Sequence, residues 1–160
     1  MDRPTRKPNR LYGYDYSENG AYFITCCAIE KQCIFADRKA PHLLTPWGAM
    51  VDQAIQEIPG HYPGVRLERY VVMPNHIHLL LLLINSDVSV SRVVQQLKRT
   101  VSRRIGKPVW QKSFHDRIIR NDAEFRKIWT YIDTNVLRWD RDCFYQDERS
   151  GPRDPYAAGG

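Results

Sequence analysis

Two histidines, His76 and His78, stand one residue apart at the start of an apolar run that continues from Leu79 to Ile84. The run is short and aliphatic, which predicts a buried central strand, since a membrane span would need roughly 20 apolar residues. Side chains alternate between the faces of a strand, so both imidazoles are expected on one face. Such a pair can bind a divalent metal and leave positions for a third ligand and a substrate oxygen. Two histidines that only hydrogen-bond inside the fold would give the same pattern.

Two further polar residues, Tyr131 and Asn135, are four positions apart in the last predicted helix. At about 100° per residue they fall together on one flank of the apolar stripe of that helix. From that flank both side chains can point across the sheet surface toward the histidines, although a tyrosine on such a flank commonly serves only in packing. The stripe consists of Phe125, Ile128, Trp129, Ile132 and Val136.

Composition limits the class of protein. The 160 residues, 42% of them hydrophobic, suit one globular domain with a core. Lys and Arg number 24 against 18 Asp and Glu, and the resulting charge of +6 favours a polyanionic partner such as nucleic acid without requiring one. The four cysteines form no Cys-x-x-Cys pair and no apolar leader follows the N-terminus. We therefore expect reduced thiols in a cytoplasmic protein that has no membrane segment.

The elements that position these residues follow from periodicity and capping signals. The predicted order is β-α-β-β-α-β-α, which indicates an α+β fold: a ferredoxin-like β-α-β-β-α-β antiparallel sheet with an added C-terminal helix. The second strand and the histidine strand are close enough in sequence to form a hairpin. The predicted elements before and after the histidine strand are a strand over Ala21 to Ile29, a helix from the N-cap Thr45 to Ile58 ended by Pro59-Gly60, a strand over Val65 to Met73, a helix from Ser89 to Gly106, a strand over Phe114 to Arg120 and a helix after the N-cap Asn121.

Basic residues are grouped in three places. Arg92, Arg99 and Arg103 form a column on the outer side of the second helix, which contains no acidic residue. Such a column suits a phosphate backbone, and a solvated charged face is the alternative. Further nucleic-acid contacts are predicted for Arg117 and Arg120 near the last strand. Arg10 belongs to a proline-broken basic arm, residues 1–18, which either lies along a partner or is a solvated tail. Residues 19–145 form the predicted domain, and residues 146–160 a disordered tail.

In their order, the motifs of this chain resemble the REP-associated tyrosine transposases, a group within the single-tyrosine branch of the HUH endonucleases. The resemblance covers about residues 10–145 and implies a ferredoxin-like catalytic domain. It also implies nicking and strand transfer of single-stranded or hairpin DNA through a 5′-phosphotyrosine bond, and it leaves a homodimer open. The motifs that carry it are Leu11–Ser17, Gly20–Thr25, Met73–Leu80, Trp110-Gln111, Phe114–Arg120 and Tyr131–Asn135.

The resemblance assigns a role to each candidate residue. Tyr131 matches the nucleophile, and His76, His78 and Asn135 match the ligands of a divalent metal, Mg²⁺ or Mn²⁺. A free tyrosine has a pKa near 10, so its attack needs a base or a metal-polarised phosphate. Two imidazoles and an amide oxygen suit such a metal, whereas closed structural zinc sites have four protein ligands. The family commonly has Pro after this Asn. Here Val136 follows. Because Val allows a helix to continue, Asn135 could be shifted, and its assignment as the third ligand is left undecided by the sequence.

Other functions fit parts of the pattern. A non-catalytic module that binds repeat DNA or RNA on the same fold would be expected to carry an aromatic RNP-like run on its strands, and the sequence has none. A hydrolase of small phosphate esters would be expected to show a two-metal carboxylate cluster or a Gly-rich phosphate loop, and the sequence shows neither. A domesticated repeat-binding protein would keep the fold and lose the chemistry, against which the intact His76, His78 and Tyr131 argue.

Overall fold

A computed structural model describes residues 20–141. The predicted basic arm with Arg10 and the predicted tail, residues 146–160, lie outside the described residues. Within the described range, no helix is both long and apolar enough to cross a membrane. Two 3₁₀ helices, Ile29–Lys31 and Val136–Arg141, accompany the main elements, which in chain order are β1 (Gly20–Cys27), α1 (Pro46–Gln56), α2 (Ile58–His61), β2 (Val65–Met73), β3 (His76–Leu83), α3 (Val90–Ile105), β4 (His115–Ile118) and α4 (Asp122–Asp133).

The four strands within residues 20–141 form one sheet in the order β2-β3-β1-β4, and every neighbouring pair is antiparallel. This is the strand order of a ferredoxin-like sheet, with α4 as the added C-terminal helix, so the predicted α+β fold class is confirmed. The histidine strand β3 is central and pairs with β2 through the predicted hairpin. All eight of its residues are buried.

Helices cover both faces of the sheet, and this explains the unbroken apolar run in β3. On one face, which we call the α1/α3 face, Ile77 and Leu79 pack with buried residues of α1 and α3. On the other, the α4 face, Leu80 packs with Phe23 of β1 and Ile132 of α4. Because side chains alternate along β3, His76 and His78 lie on the α4 face together with Leu80.

The first helix ends earlier than predicted. Thr45 caps α1 by accepting a hydrogen bond from the backbone N–H of Gly48, as its sequence indicates, but α1 stops at Gln56. Pro59 and Gly60 then lie inside the short helix α2 and do not terminate a helix. A proline in the first turn of a helix lacks only an N–H that would have no intrahelical partner there, so Pro59 is compatible with a new helix.

The helix α3 has the predicted limits. The Ser89 side chain accepts a hydrogen bond from the N–H of Arg92 at its start. Gly106 ends it in the left-handed conformation, at φ 98°, which glycine adopts without steric cost.

The paired strands β1 and β4 both end earlier than predicted. β1 stops at Cys27, after which Glu30 and Lys31 adopt positive φ of 53° in a 3₁₀ turn. β4 contains only His115–Ile118, so Phe114 and Arg120 lie outside it. At the start of α4 the Asn121 side chain accepts from the N–H of Glu124, as predicted, but the Glu124 carboxylate accepts from the N–H of Arg120 and not from Asn121. The reciprocal bond of the capping box is therefore displaced by one residue.

Candidate active site

The two imidazoles of β3 meet at the start of the strand. Their ring centroids lie 4.6 Å apart with the planes inclined by 70°, and both side chains are buried. On the neighbouring strands, Cys27 is opposite His76 and Thr25 is opposite His78. The strand alternation read from the sequence thus places both rings on one face, close enough to share a ligand.

A hydrogen bond at Nδ1 orients each ring. Nδ1 of His76 is 2.8 Å from the side-chain Oδ1 of Asn75, whose Nδ2 donates to the backbone carbonyl of Lys31 at 3.3 Å. The amide oxygen can only accept, so Nδ1 of His76 carries the proton and the ring lone pair is on Nε2. Nδ1 of His78 lies 2.9 Å from the hydroxyl Oγ1 of Thr25, which fixes the orientation of that ring. Hydrogen bonds of this kind orient imidazoles that bind metals through the opposite nitrogen.

Burial also fixes the charge of the pair. The pKa of His76 lies well below its ordinary value, chiefly because burial disfavours the charged ring, and also because a charge on His76 would be repelled by Lys31 and by His78 when that ring is protonated. Burial lowers the pKa of His78 to about 3, and a hydrogen bond with the backbone of Ile24 acts in the opposite direction. Both rings are therefore neutral at neutral pH, the form in which an imidazole binds a metal.

Tyr131 reaches the same place from α4. Its half-buried ring lies 5.4 Å from the ring of His78, centroid to centroid. Phe23 of β1 packs between the sheet and the helix, stacked on His78 at 5.0 Å and edge-on to Tyr131 at 6.1 Å. The phenol is thus held beside the histidine pair by aromatic contacts with both strands of the sheet centre.

Asn135 is placed differently from the sequence prediction. α4 ends at Asp133, so Asn135 is not one helical turn after Tyr131 but lies in the turn that follows the helix. The expectation that Val136 lets the helix continue is wrong, since Val136 starts a separate 3₁₀ helix. The break is at Thr134, whose backbone is non-helical at φ −107° and ψ 7°, although its N–H and its hydroxyl both still donate to the carbonyl of Thr130.

The turn nevertheless directs Asn135 into the interior. The side chain is 1% exposed, and its Oδ1 is shielded from solvent, as are the Nε2 atoms of both histidines. The residues on either side of the turn contact the two rings, Tyr131 against His78 and Trp139 against His76 at 6.2 Å. An amide oxygen and two imidazole nitrogens are therefore all buried, and the residues that flank Asn135 in sequence contact the two rings.

This donor set fits a divalent ion that accepts mixed nitrogen and oxygen ligands. In residues 20–141 no group of three or more His, Cys, Asp or Glu is arranged to hold a metal, so a carboxylate or thiolate site is not formed there. Three neutral ligands would leave the charge of the ion uncompensated by the protein. An anionic phosphate is the natural source of the missing charge.

Several residues of the site were missed from the sequence. Phe23, Thr25 and Asn75 contact the two imidazoles, and only the strand register, which the sequence pattern leaves open, would have identified the first two. Arg138 is the fourth: its guanidinium carbon lies 5.2 Å from the centroid of the Tyr131 ring, and its Nη2 is 3.4 Å from the Tyr131 carbonyl. The helix break between these two residues removed any spacing signal.

The predicted DNA-contacting arginines within residues 20–141 are divided between the two faces of the sheet. Arg92, Arg99 and Arg103 are exposed on α3, on the opposite face of the sheet from the histidines. Their neighbour Arg104 is paired with Glu57, at 2.8 Å between Nη2 and Oε1, so an acidic residue does balance part of this surface. Arg117 lies on the α4 face opposite Phe23 and is paired with Glu124, and Arg120 is exposed after β4.

Comparisons with known proteins agree with this architecture. A family model described as IS200-like transposase matches residues 24–135. An uncharacterized protein of Haemophilus influenzae is 30% identical over 89% of this chain and 94% of its own length, and a REP-associated tyrosine transposase of Escherichia coli is 25% identical over 85% of this chain and 83% of its own. A solved structure of a REP-associated tyrosine transposase bound to a REP hairpin has the same fold, with a TM-score of 0.62 at 23% identity, covering 92% of this chain and 94% of that one.

Proposed function

This chain belongs to the IS200-like transposase family, and we propose that it nicks and rejoins single-stranded DNA through a covalent bond between Tyr131 and a 5′-phosphate. The observation that carries the proposal is the position of the Tyr131 ring, 5.4 Å from His78, beside a histidine pair whose rings are 4.6 Å apart. A nucleophilic phenol next to two neutral metal-binding groups is the arrangement that phosphoryl transfer to tyrosine requires.

The chemistry divides among residues of this chain. His76, His78 and Asn135 would hold Mg²⁺ or Mn²⁺, which when bound supplies positive charge to the oxygens of the scissile phosphate. The Tyr131 oxygen forms a bond to phosphorus as the bond to the 3′ oxygen breaks. The phenol loses a proton and the leaving 3′ oxygen gains one. Because the new phosphotyrosine ester replaces the old ester, the 3′-OH can reverse the step without ATP.

Arg138 would assist the same step. Its guanidinium lies against the Tyr131 ring and is exposed, so it can contact a phosphate that approaches the phenol. A fixed cation beside the attacked phosphate stabilises the charge that develops there. Arg138 is therefore proposed as a residue that touches the reacting group.

The DNA partner is proposed to be a hairpin-forming single strand. The basic net charge supports a polyanionic ligand, and a relative of the same fold was solved with a REP hairpin. The proposal is tested by incubating the protein with end-labelled hairpin single strands and Mn²⁺ or Mg²⁺, followed by denaturing electrophoresis. A labelled band that migrates with the protein is expected, and its absence with every hairpin and both metals would contradict covalent catalysis.

The column Arg92, Arg99 and Arg103 gives a separate prediction about binding. Replacing any one by Ala should weaken single-strand binding and make the dependence of log K on log salt concentration shallower by about 0.7, the change expected for loss of one phosphate contact on single-stranded DNA. Arg66→Ala on the edge strand β2 is the matched control, since Arg66 is exposed, is paired with Glu68 and lies on the face of the sheet away from α3. Equal salt dependence in wild type and all three column variants would make this face of α3 a solvated surface.

A further inference from the structure

An open depression with a volume of about 480 Å³ lies between α3 and the segment that leads into β4. It is separate from the histidine site, because α3 covers the other face of the sheet. Its wall combines an aromatic ring, cationic side chains, an amide and a hydroxyl. The residues that line it are Gln95, Lys98, Arg99, Lys112, Ser113 and Phe114.

Lys98 holds one wall of this depression, the 111–113 segment, in place. Its ammonium donates to the backbone carbonyls of Gln111 at 2.7 Å and of Lys112 and Ser113 at 3.3 Å each. An ammonium has three N–H groups, so these three bonds use its donors within the protein. Lys98 therefore fixes the 111–113 segment and leaves the recognition of a ligand to other side chains.

The side chains that remain for a ligand have complementary chemistry. Arg99 and Lys112 are exposed cations on two sides of the depression. Phe114 is half-buried: one part packs on the core of the α1/α3 face, and the rest lines the depression. Cations next to an aromatic face suit a phosphate next to a base, and Gln95 and Ser113 add groups that can hydrogen-bond a base edge.

The depression is connected to the histidine site by the exposed edge strand. Phe114 lines it, and the next residue, His115, lies opposite Thr25, whose hydroxyl bonds His78. Thr25 on β1 is paired with His78 on β3 on one side and with His115 on β4 on the other. The two histidines are therefore two strand spacings apart, roughly 10 Å. All four residues of β4 are exposed. Single-stranded DNA bound at the histidine site can therefore pass over β4 and reach the depression.

We propose that this depression is a nucleotide-binding subsite for single-stranded DNA, in which one base flanking the cleavage position stacks on Phe114 while Arg99 and Lys112 bind the adjacent phosphates. The subsite rests on the proposed function only for its relation to cleavage. Its binding of single strands is a separate property that can be measured without chemistry. It also gives Arg99 a defined role within the basic column.

The test measures binding in the Tyr131→Phe background, so that no covalent step contributes. The probe is a fluorescent oligothymidylate of about 16 nucleotides, the upper end of single-strand site sizes. Phe114→Leu, which keeps an apolar side chain against the core, should weaken binding roughly tenfold, the effect expected for loss of one base–aromatic stack. Phe114→Tyr should bind like the parent because it keeps the ring, and Arg66→Gln, at the far edge, should also bind like the parent.

A photocrosslink locates the base directly. The same oligonucleotide with 5-iododeoxyuridine should crosslink to the peptide that contains Phe114 on irradiation, and Lys112→Gln should reduce the yield. The proposal is overturned if Phe114→Leu binds like the parent, if Phe114→Tyr loses as much affinity as Phe114→Leu, or if the crosslink maps elsewhere. Should Phe114→Leu fail to fold, the crosslink in the Lys112 variant still decides. Absence of a covalent adduct in the wild type would contradict catalysis by Tyr131 but would not contradict the proposed subsite.

Discussion

Tyr131→Phe is expected to abolish the covalent protein–DNA adduct and strand cleavage, a loss of at least about 10⁴-fold, as for other enzymes that lose their covalent nucleophile. The change removes only the phenolic oxygen. The ring that packs edge-on to Phe23 and beside His78 stays, so folding and DNA affinity should be retained. Adduct formation on denaturing gels and binding by fluorescence anisotropy measure the two properties separately.

Two comparisons make this result specific. Arg138→Gln leaves the phenol in place but removes the cation beside its ring, so adduct should still form, about 10- to 100-fold more slowly than in the wild type. Raising the Mn²⁺ concentration should not restore Tyr131→Phe. If Tyr131→Phe still forms an adduct, another tyrosine is the nucleophile, with Tyr145, outside the described residues, as the next candidate.

His76→Ala should lower metal-dependent cleavage by about 10²- to 10³-fold while Tyr131 remains in place, because the phosphate would then carry its developing charge with weaker stabilisation. The same variant should bind Mn²⁺ more weakly in a calorimetric titration. Asn135→Ala should have a smaller effect, since a neutral amide contributes less than an imidazole, and high Mn²⁺ should partly restore it.

The control for His76→Ala is fold stability, because the variant removes a buried side chain that is hydrogen-bonded to Asn75. Thermal unfolding should show a native transition, and DNA binding should persist. Unchanged cleavage and unchanged Mn²⁺ affinity in both His76→Ala and His78→Ala would remove the histidine pair from the mechanism and leave it as a packing feature of β3.

Local signals in the sequence were sufficient for much of this architecture. The apolar run after His78 and the caps Ser89 and Gly106 depend on nearest neighbours along the chain, and they were sufficient to predict the buried strand β3 and the limits of α3. The order of the predicted elements then gave the fold class. Alternation along one strand likewise brought the two histidines together. These features require no knowledge of which strands pair.

Features that depend on contacts distant in sequence were not accessible. The stack of Phe23 on His78 and the bond from Thr25 follow from the β1–β3 register, which no short motif specifies. The position of Asn135 was wrong because periodicity extended the predicted helix past Thr134, where the backbone leaves the helical conformation. Arg99 is separated from the histidines because α3 packs on the opposite face of the sheet, and the sequence does not show on which face a helix packs.

The burial of the histidine pair makes the stability of this protein depend on acidity. In the unfolded chain both imidazoles titrate near pH 6.5, whereas in the folded protein the pKa of His78 is about 3 and that of His76 is also far lower. The unfolded state therefore binds more protons below pH 6.5, and the free energy of unfolding should fall as pH decreases from 6.5 toward 3. Denaturant midpoints at pH 7.5 and pH 5 measure this loss. Metal binding should depend on acidity in a different way, because in the folded protein both rings are neutral well below pH 6.5. Binding of a divalent ion at neutral pH would therefore release no proton from these two imidazoles.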